Sequence, residues 1–495
     1  MINKFAQAFM NEATLTQTEN GHAAASTTND AVLDLYGQVG GLRDQDFASR
    51  VWPLLEAAIR QDKLLTAKTI FYARDVRGGV GERDLFRKML AVTALKHPEM
   101  IKPNLELIPF YGRWDDLYAL VGTPLEKDAF SLMYRQFGDD LTNAKARKPV
   151  SLLGKWLKSC NASSEETREL GRLTARYFGL SERVYRHALT VLREQIKIVE
   201  SQMSAKEWSE IDYEKIPSKA GLIYRNAFIK HDKERYAQYI RAVNSGEKKI
   251  NTAVNTPQDI VHAYGSSPIN VDETLEAMWT NLPDFVNSDE NILVMADVSG
   301  SMTGRPMEVS IGLAMYFAQH NKGVFHNMFM TFESKPSFVS LENCYSLRDC
   351  ICGTATASWG GSTNLNLACK EILRLGLKYG IPAKDMPTRL IIISDMEINA
   401  ATLPYSDGQN LHADEMRELF KTYGYSVPQL IYWNVESRDN HFQTRSDTKG
   451  VMLASGSSPA VFDAVIKMED LLITPRDAML AVLNGERYSN IRIAE

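Results

Sequence analysis

The string MADVSGSM sets Asp297, Ser299 and Ser301 at alternate positions, one carboxylate and two hydroxyls within five residues. A single tight loop turns such groups toward one point, and oxygen-only donors suit a hard cation such as Mg²⁺ better than zinc or copper. Two further oxygen donors stand at element ends: Thr363 in GGSTN, just ahead of an amphipathic helix, and Asp395 closing RLIIISD. Asp297, Ser299, Ser301, Thr363 and Asp395 are therefore the candidate ligands of Mg²⁺ or another hard divalent cation. Two carboxylates bring a divalent ion close to neutrality, so it keeps exchangeable waters, and one position is open to a partner's carboxylate. The competing reading is that Asp297 and Ser299 cap the following helix, as Asp and Ser often do.

The elements that must position these residues are legible from residue 290 onward. Short, apolar, β-branched runs alternate there with amphipathic helical patterns, as in a sheet covered on both faces. Strands are expected at 291–298, 324–332, 337–341, 389–395, 429–435 and 451–454, with helices at 306–320, 365–379, 411–423 and 458–468. That order predicts a doubly wound α/β domain with its site at the carboxyl ends of the central strands, where the winding reverses.

The preceding chain has a different period. Residues 1–28 are polar and small and read as a frayed terminus. From about 30 to 285 apolar residues recur every three or four positions. Tyr185, Leu189, Leu192, Ile196 and Val199 draw one helical stripe, Ser163 with Glu166 has capping-box spacing, and Gly179 before Ser181 marks a helix end. The predicted division is a flexible segment 1–28, a helical, HEAT-like repeat domain 29–288 without a clean sequence period, an α/β domain 289–480 and a C-terminal segment 481–495.

On these residues the C-terminal part resembles a von Willebrand factor A domain, whose metal-ion-dependent adhesion site (MIDAS) uses a DxSxS, Thr and Asp set. The resemblance implies the five named residues as direct or water-mediated ligands. It departs after Asp395, where such domains often have Gly and this chain has Met396 and then Glu397, a possible outer group of the site. The strings FYARDVRGGVGERDLFR (71–87), IPFYGRWDDL (108–117), SLLGKWLKS (151–159) and YEKIPSKA (213–220), followed by an A domain, are similar to the Ro autoantigen (TROVE-module) group and its uncharacterised bacterial, phage and plant relatives. That resemblance implies a ring of HEAT-like repeats closed by the A domain, single-stranded RNA ends entering it, and small structured RNA outside: a ribonucleoprotein scaffold rather than an enzyme. The alternative is a protein-only adaptor whose metal grips an acidic residue of its partner.

Charge bears on the RNA expectation. The 495 residues carry a net −5, yet 145–194 hold eleven Lys and Arg against five Glu, a local excess of six. Such polarisation suits a surface that tracks phosphates. The candidate RNA contacts are Lys155, Lys158, Arg172, Arg176, Arg183, Arg186, His187 and Arg193, although solvated or Glu-paired side chains are the ordinary alternative. Nothing nominates a sequence-reading DNA binder.

Other strings carry less chemistry. RGGVGERD follows a helical pattern and lacks the GxxxxGK[ST] run, so it reads as an interhelical turn. Asp115 and Asp116 are adjacent and read as helix-start charges beside a buried Trp114 rather than as a catalytic pair. Five cysteines lack paired CxxC spacing, no HExxH occurs, and no His is nominated to activate Ser299 or Ser301. Without a signal-like or membrane-spanning apolar run, a soluble cytoplasmic protein with no membrane partner is expected.

Overall fold

In the computed structural model the described residues are 9, 11–196, 198–265, 268–286, 289–332, 336–355, 364–399, 411–461, 463, 467–468 and 470–494. They form helices together with two sheets, and the chain divides into two compact units. One comprises Met1–Asp62, Gly78–Val80 and Ile250–Arg487; the other comprises Lys63–Arg77, Gly81–Lys249 and Tyr488–Glu495. Among the described residues no helix is long and apolar enough to cross a membrane.

The first unit holds a hairpin of β1 (Leu15–Gln17) and β2 (Ala23–Ala25), and a six-stranded sheet. The sheet strands are β3 (Ile292–Asp297), β4 (Met328–Phe332), β5 (Ser337–Ser340), β6 (Arg389–Ser394), β7 (Gln429–Asn434) and β8 (Val451–Ser455). All six expected strands are present, within a few residues of their expected ends. Their order is β5-β4-β3-β6-β7-β8, parallel throughout except for β4 with β5. The winding therefore reverses between β3 and β6, which places the C-terminal ends of those two strands at the switch point. Every residue of β3, β6, β7 and β8 is buried, which is why these strands read as continuous apolar runs rather than alternating ones. Helices Arg305–His320, Leu365–Tyr379 and His412–Thr422 match expectation, whereas 458–468 lies partly outside the described residues.

One expectation about the start of this unit is corrected. Residues 11–28 are not frayed: β1 pairs with β2, Ala24 and Ala25 are fully buried, and Ala25 exchanges backbone hydrogen bonds with Phe442. Their small, polar composition suits a hairpin lying against other chain, where Ala leaves room for close approach. Elements from before residue 289 also belong to this compact unit. Helix Ala31–Gln38 lies against β8, with Gly37 allowing Leu453 close approach, and Trp279 Nε1 donates to Gln319 Oε1 at 2.7 Å. Helical periodicity reports the type of an element; which unit its apolar face joins is a tertiary matter.

Asp34, on the helix Ala31–Gln38, accepts from Thr28 N at 2.7 Å and from the hydroxyls of Thr27 and Thr28. Burial nevertheless outweighs these bonds and pushes its carboxyl up to about 6. The folded value exceeds the unfolded one, so the native state holds the extra proton and this group's contribution is lost as pH rises from about 4 through 6. Urea unfolding of the wild type and Asp34→Asn at pH 4 and pH 7 is expected to move their stability difference by about 2–3 kcal/mol in favour of the variant at pH 7. A pH-independent difference would refute the assignment.

The second unit is helical, and three of the four strings quoted for the Ro-like resemblance meet in it. Asp116, fully buried, pairs with Arg74 Nε at 2.8 Å and Arg87 Nε at 2.6 Å, and accepts from Arg113 N at 2.9 Å. Asp115 pairs with Arg87 at 2.8 Å and Lys158 at 3.6 Å. The two aspartates sit in the first turn of a 3-10 segment, Trp114–Leu120, as expected; Trp114 itself is only half-buried, a correction. RGGVGERD is the expected turn between helices Lys63–Arg74 and Asp84–Lys96. Tyr488 from the C-terminal segment stacks on Tyr111 at 5.6 Å and donates to Asp75 at 3.0 Å. Gly179 ends Glu165–Tyr177 at φ 65°, and Tyr185, Leu189 and Leu192 are buried as the stripe requires. Ser164 rather than Ser163 is the cap, and Val199 begins a separate helix, Val199–Ser204.

Candidate functional site

β3 ends in Asp297 because the chain must leave the sheet there, and the carboxylate caps its own turn: Ser299 N donates to Asp297 Oδ1 at 2.9 Å. The hydroxyls of Ser299 and Ser301 then lie 3.0 Å apart. Helix Arg305–His320 starts later, from Gly304 with φ 92° and no side-chain cap, so Asp297 and Ser299 do not cap it. Ser299 is instead the residue at the start of the short 3-10 turn Gly300–Met302, to which its side chain makes no cap bond.

β6 brings the second carboxylate. Ser394 Oγ donates to Asp297 Oδ2 at 2.5 Å and lies 3.4 Å from Asp395 Oδ1, so the neighbouring strand ends are tied through one hydroxyl. Asp395 Oδ1 also accepts from Glu397 N at 3.1 Å. Burial, then the charge of Asp395, pushes the Asp297 carboxyl well above the usual carboxylate range. Two buried carboxylates facing one another are an arrangement that a cation relieves. Adjacent ligands of an octahedral Mg²⁺ with bonds of about 2.0–2.1 Å lie about 3 Å apart, the spacing of the serine oxygens. The donor set and its spacing thus fit a hard cation, with Asp297, Ser299, Ser301 and Asp395 as the residues that would hold it. Thr363 lies outside the described residues.

The departure at Met396 also has a physical account. This residue sits at φ 69°, the left-handed conformation that glycine adopts freely and that costs other residues about 1–2 kcal/mol. Its buried side chain and the bond from its N–H to Ser394 Oγ at 3.0 Å hold it there.

Around the site stand Arg438, Asp439 and His441, which sequence reasoning missed, and Glu397, which it had named as an outer group. Arg438, from the loop after β7, donates through Nη2 to Asp395 Oδ2. Glu397 lies beside Asp439 and His441, with one ligand atom of each within 4.8 Å of the others. His441 Nδ1 is 2.8 Å from Glu397 Oε1. Burial lowers this imidazole, but the Glu397 bond and the charges of Glu397, Asp439 and Glu19 outweigh it and raise it above its ordinary value. The hairpin reaches the same loop: Glu19 N donates to Glu397 Oε2 at 2.7 Å, Asn20 Nδ2 to Glu397 O at 2.6 Å, and Thr18 Oγ1 to Ile398 O at 2.6 Å. No local motif announces these contacts, because nearly 380 residues separate their ends.

The candidate RNA residues fall into two groups. Arg172, Arg176, Arg183, Arg186 and His187 are exposed on helices Glu165–Tyr177 and Glu182–Ile196, with Arg172 in loose pairs with Glu165 and Glu182. Arg193, Lys155 and Lys158 are half-buried and make contacts within the protein. Arg193 donates to Gly154 O and Leu157 O at 3.0 and 2.9 Å, joining Glu182–Ile196 to the turn Leu153–Trp156. Lys158 pairs with Asp115 and lies over Tyr118, and Lys155 pairs with Glu200 at 3.6 Å. The five cysteines are free thiols, three of them buried.

Comparison with known proteins adds kinship without chemistry. The family model described as a domain of unknown function (DUF7788) matches residues 291–480. A curated relative, the uncharacterized protein L728 of Acanthamoeba polyphaga mimivirus, is 26% identical over 510 residues, covering 95% of this chain and 87% of its own. A second model, a domain of unknown function (DUF2828), matches residues 18–149 and 157–289, more than half of the sequence, and the chain belongs to that DUF2828 family.

Proposed function

We propose that this protein is a non-enzymatic binding scaffold whose residues 289–480 form a von Willebrand factor A-like domain. It would hold a hard divalent cation on Asp297, Ser299, Ser301 and Asp395, with Thr363 as the fifth ligand by resemblance, and grip an acidic side chain of a protein partner. The observation that carries this reading is the meeting of the serine pair and two buried carboxylates where the sheet winding reverses, in the strand order β5-β4-β3-β6-β7-β8. The ion would supply Lewis acidity and a binding position for an outside oxygen. The protein orients the oxygens through Ser394 and the Ser299 amide. Calorimetry with Mg²⁺ or Mn²⁺ tests it: one site per chain is expected, and no heat at millimolar ion would refute it.

The helical unit is proposed to bind single-stranded or small structured RNA, cytoplasmic and without sequence reading of DNA. Support comes from the Ro-like strings and from the exposed set Arg172, Arg176, Arg183, Arg186 and His187 on two consecutive helices. Neutralised phosphates release counterions, so affinity for a single-stranded oligoribonucleotide should fall steeply with salt. Replacing the four arginines by Glu is expected to lower the log–log salt slope by about 3, at about 0.7 for each phosphate no longer neutralised, with little change in thermal unfolding. An unchanged slope would move RNA elsewhere or remove it from the function.

A further inference from the structure

Arg438 is held in place from both sides. Ser437 N donates to Gly41 O at 2.9 Å, Ser437 Oγ to Gln38 O at 3.1 Å, and Arg50 donates to Ser437 O and Asn440 Oδ1 at 3.2 and 3.1 Å. The loop therefore presents a guanidinium to the carboxyl end of β6 rather than to open solvent. Nη2 reaches Asp395, whose side chain is fully buried, and Nη1 lies 3.8 Å from Glu19 Oε2 on the turn between β1 and β2. Arg438 Nε is buried without a hydrogen-bond partner, and the side chain as a whole remains 29% exposed. This is a fork with one arm on a candidate metal ligand and the other near an exposed acid.

We infer that Arg438 is a resident counter-cation of the Asp297–Asp395 centre, which a divalent ion displaces from Asp395 toward Glu19, so that filling of the centre is registered at the N-terminal hairpin. The inference rests on the metal reading above and adds its regulation. Its logic is charge: Arg438 holds Asp395 Oδ2, and a divalent ion drawn to Oδ1 on the Asp297 side meets the repulsion of that guanidinium, which favours its displacement. Glu19 offers the displaced charge a nearby partner. The backbone of Glu19 also donates to Glu397, two residues from Asp395, so movement of Arg438 changes a hairpin that is already bonded to the metal loop.

Mn²⁺ binding to the full chain tests this, followed by calorimetry and by loss of the free-ion electron paramagnetic resonance signal. Arg438→Gln is expected to tighten Mn²⁺ about tenfold, a modest fraction of the interaction between unit charges near a protein surface. Glu19→Gln, which removes the displaced charge's partner, is expected to weaken it several-fold. A merely structural role for Arg438 would give weaker binding in the first variant. Should Arg438→Gln fail to fold, Arg438→Lys, which keeps the charge but loses the fork, is expected to bind more tightly than the wild type. Amide exchange in residues 15–25 should change with Mn²⁺ in the wild type and not in Arg438→Gln. Unchanged or weaker binding in the arginine variants, with the wild type binding normally, would overturn the inference and leave the metal centre standing. Failure of every form to bind would overturn both.

Discussion

Asp116→Ala is expected to destabilise the helical unit by about 3–5 kcal/mol, the cost of breaking a buried ion network from one side. Asp116 joins Arg74, Arg87 and the Arg113 amide from three segments, and its removal leaves Arg74, itself buried, without that carboxylate. Denaturant unfolding followed by a probe in the second unit measures it. Arg87→Ala should cost less, because that side chain is partly exposed and hydration can replace one of its partners. Losses below about 1 kcal/mol for Asp116→Ala would mean that the network contributes little beyond packing. The same network takes up both Asp115 and Asp116, each carboxylate being paired with cations from the framework.

The second large effect reverses sign with the ion. Asp297→Asn keeps the shape of the carboxylate, so its carbonyl can still accept from Ser299 N and its amide can donate to Ser394 Oγ. It also removes a charge that burial and Asp395 both disfavour. Without divalent ions at neutral pH the variant is therefore expected to be at least as stable as the wild type. With Mg²⁺ at a hundredfold excess over its dissociation constant, the wild type should gain about 2.7 kcal/mol and the variant nothing. Melting curves of both proteins with Mg²⁺ and with chelator give the four numbers. A wild type indifferent to Mg²⁺ would remove the metal reading; a variant that still responds would place the ion elsewhere. A stability deficit carried in the empty state and recovered on binding is the usual signature of residues kept for function.

The α/β part was readable because its signals are local. Continuous apolar strands such as ILVMAD and RLIIIS are fully buried, so composition alone marked them, and a strand end followed by DxSxS marked the site. The helix end at Gly179 was likewise written in a single residue with positive φ. The hairpin at 15–25 was missed because its three-residue strands carry no periodicity, and Phe442, which bridges to Ala25, is more than 400 residues away.

The same distinction separates the two candidate surfaces. Asp297, Ser299 and Ser301 share one loop, so their convergence followed from spacing. Whether Arg193 faced RNA or its own framework depended on the carbonyls of Gly154 and Leu157, which no helical wheel contains. By itself the sequence determined the six strands of the larger sheet, the helices Arg305–His320, Leu365–Tyr379 and His412–Thr422, and the candidate oxygen donors at the strand ends, since those depend on neighbours along the chain. Tertiary structure alone decided that Arg438 and the hairpin attend Asp395, and that Lys155, Lys158 and Arg193 are occupied. Charge pairing depends on distance in space, and distant segments are brought together by burial of apolar faces that carry no address for the polar groups arriving with them.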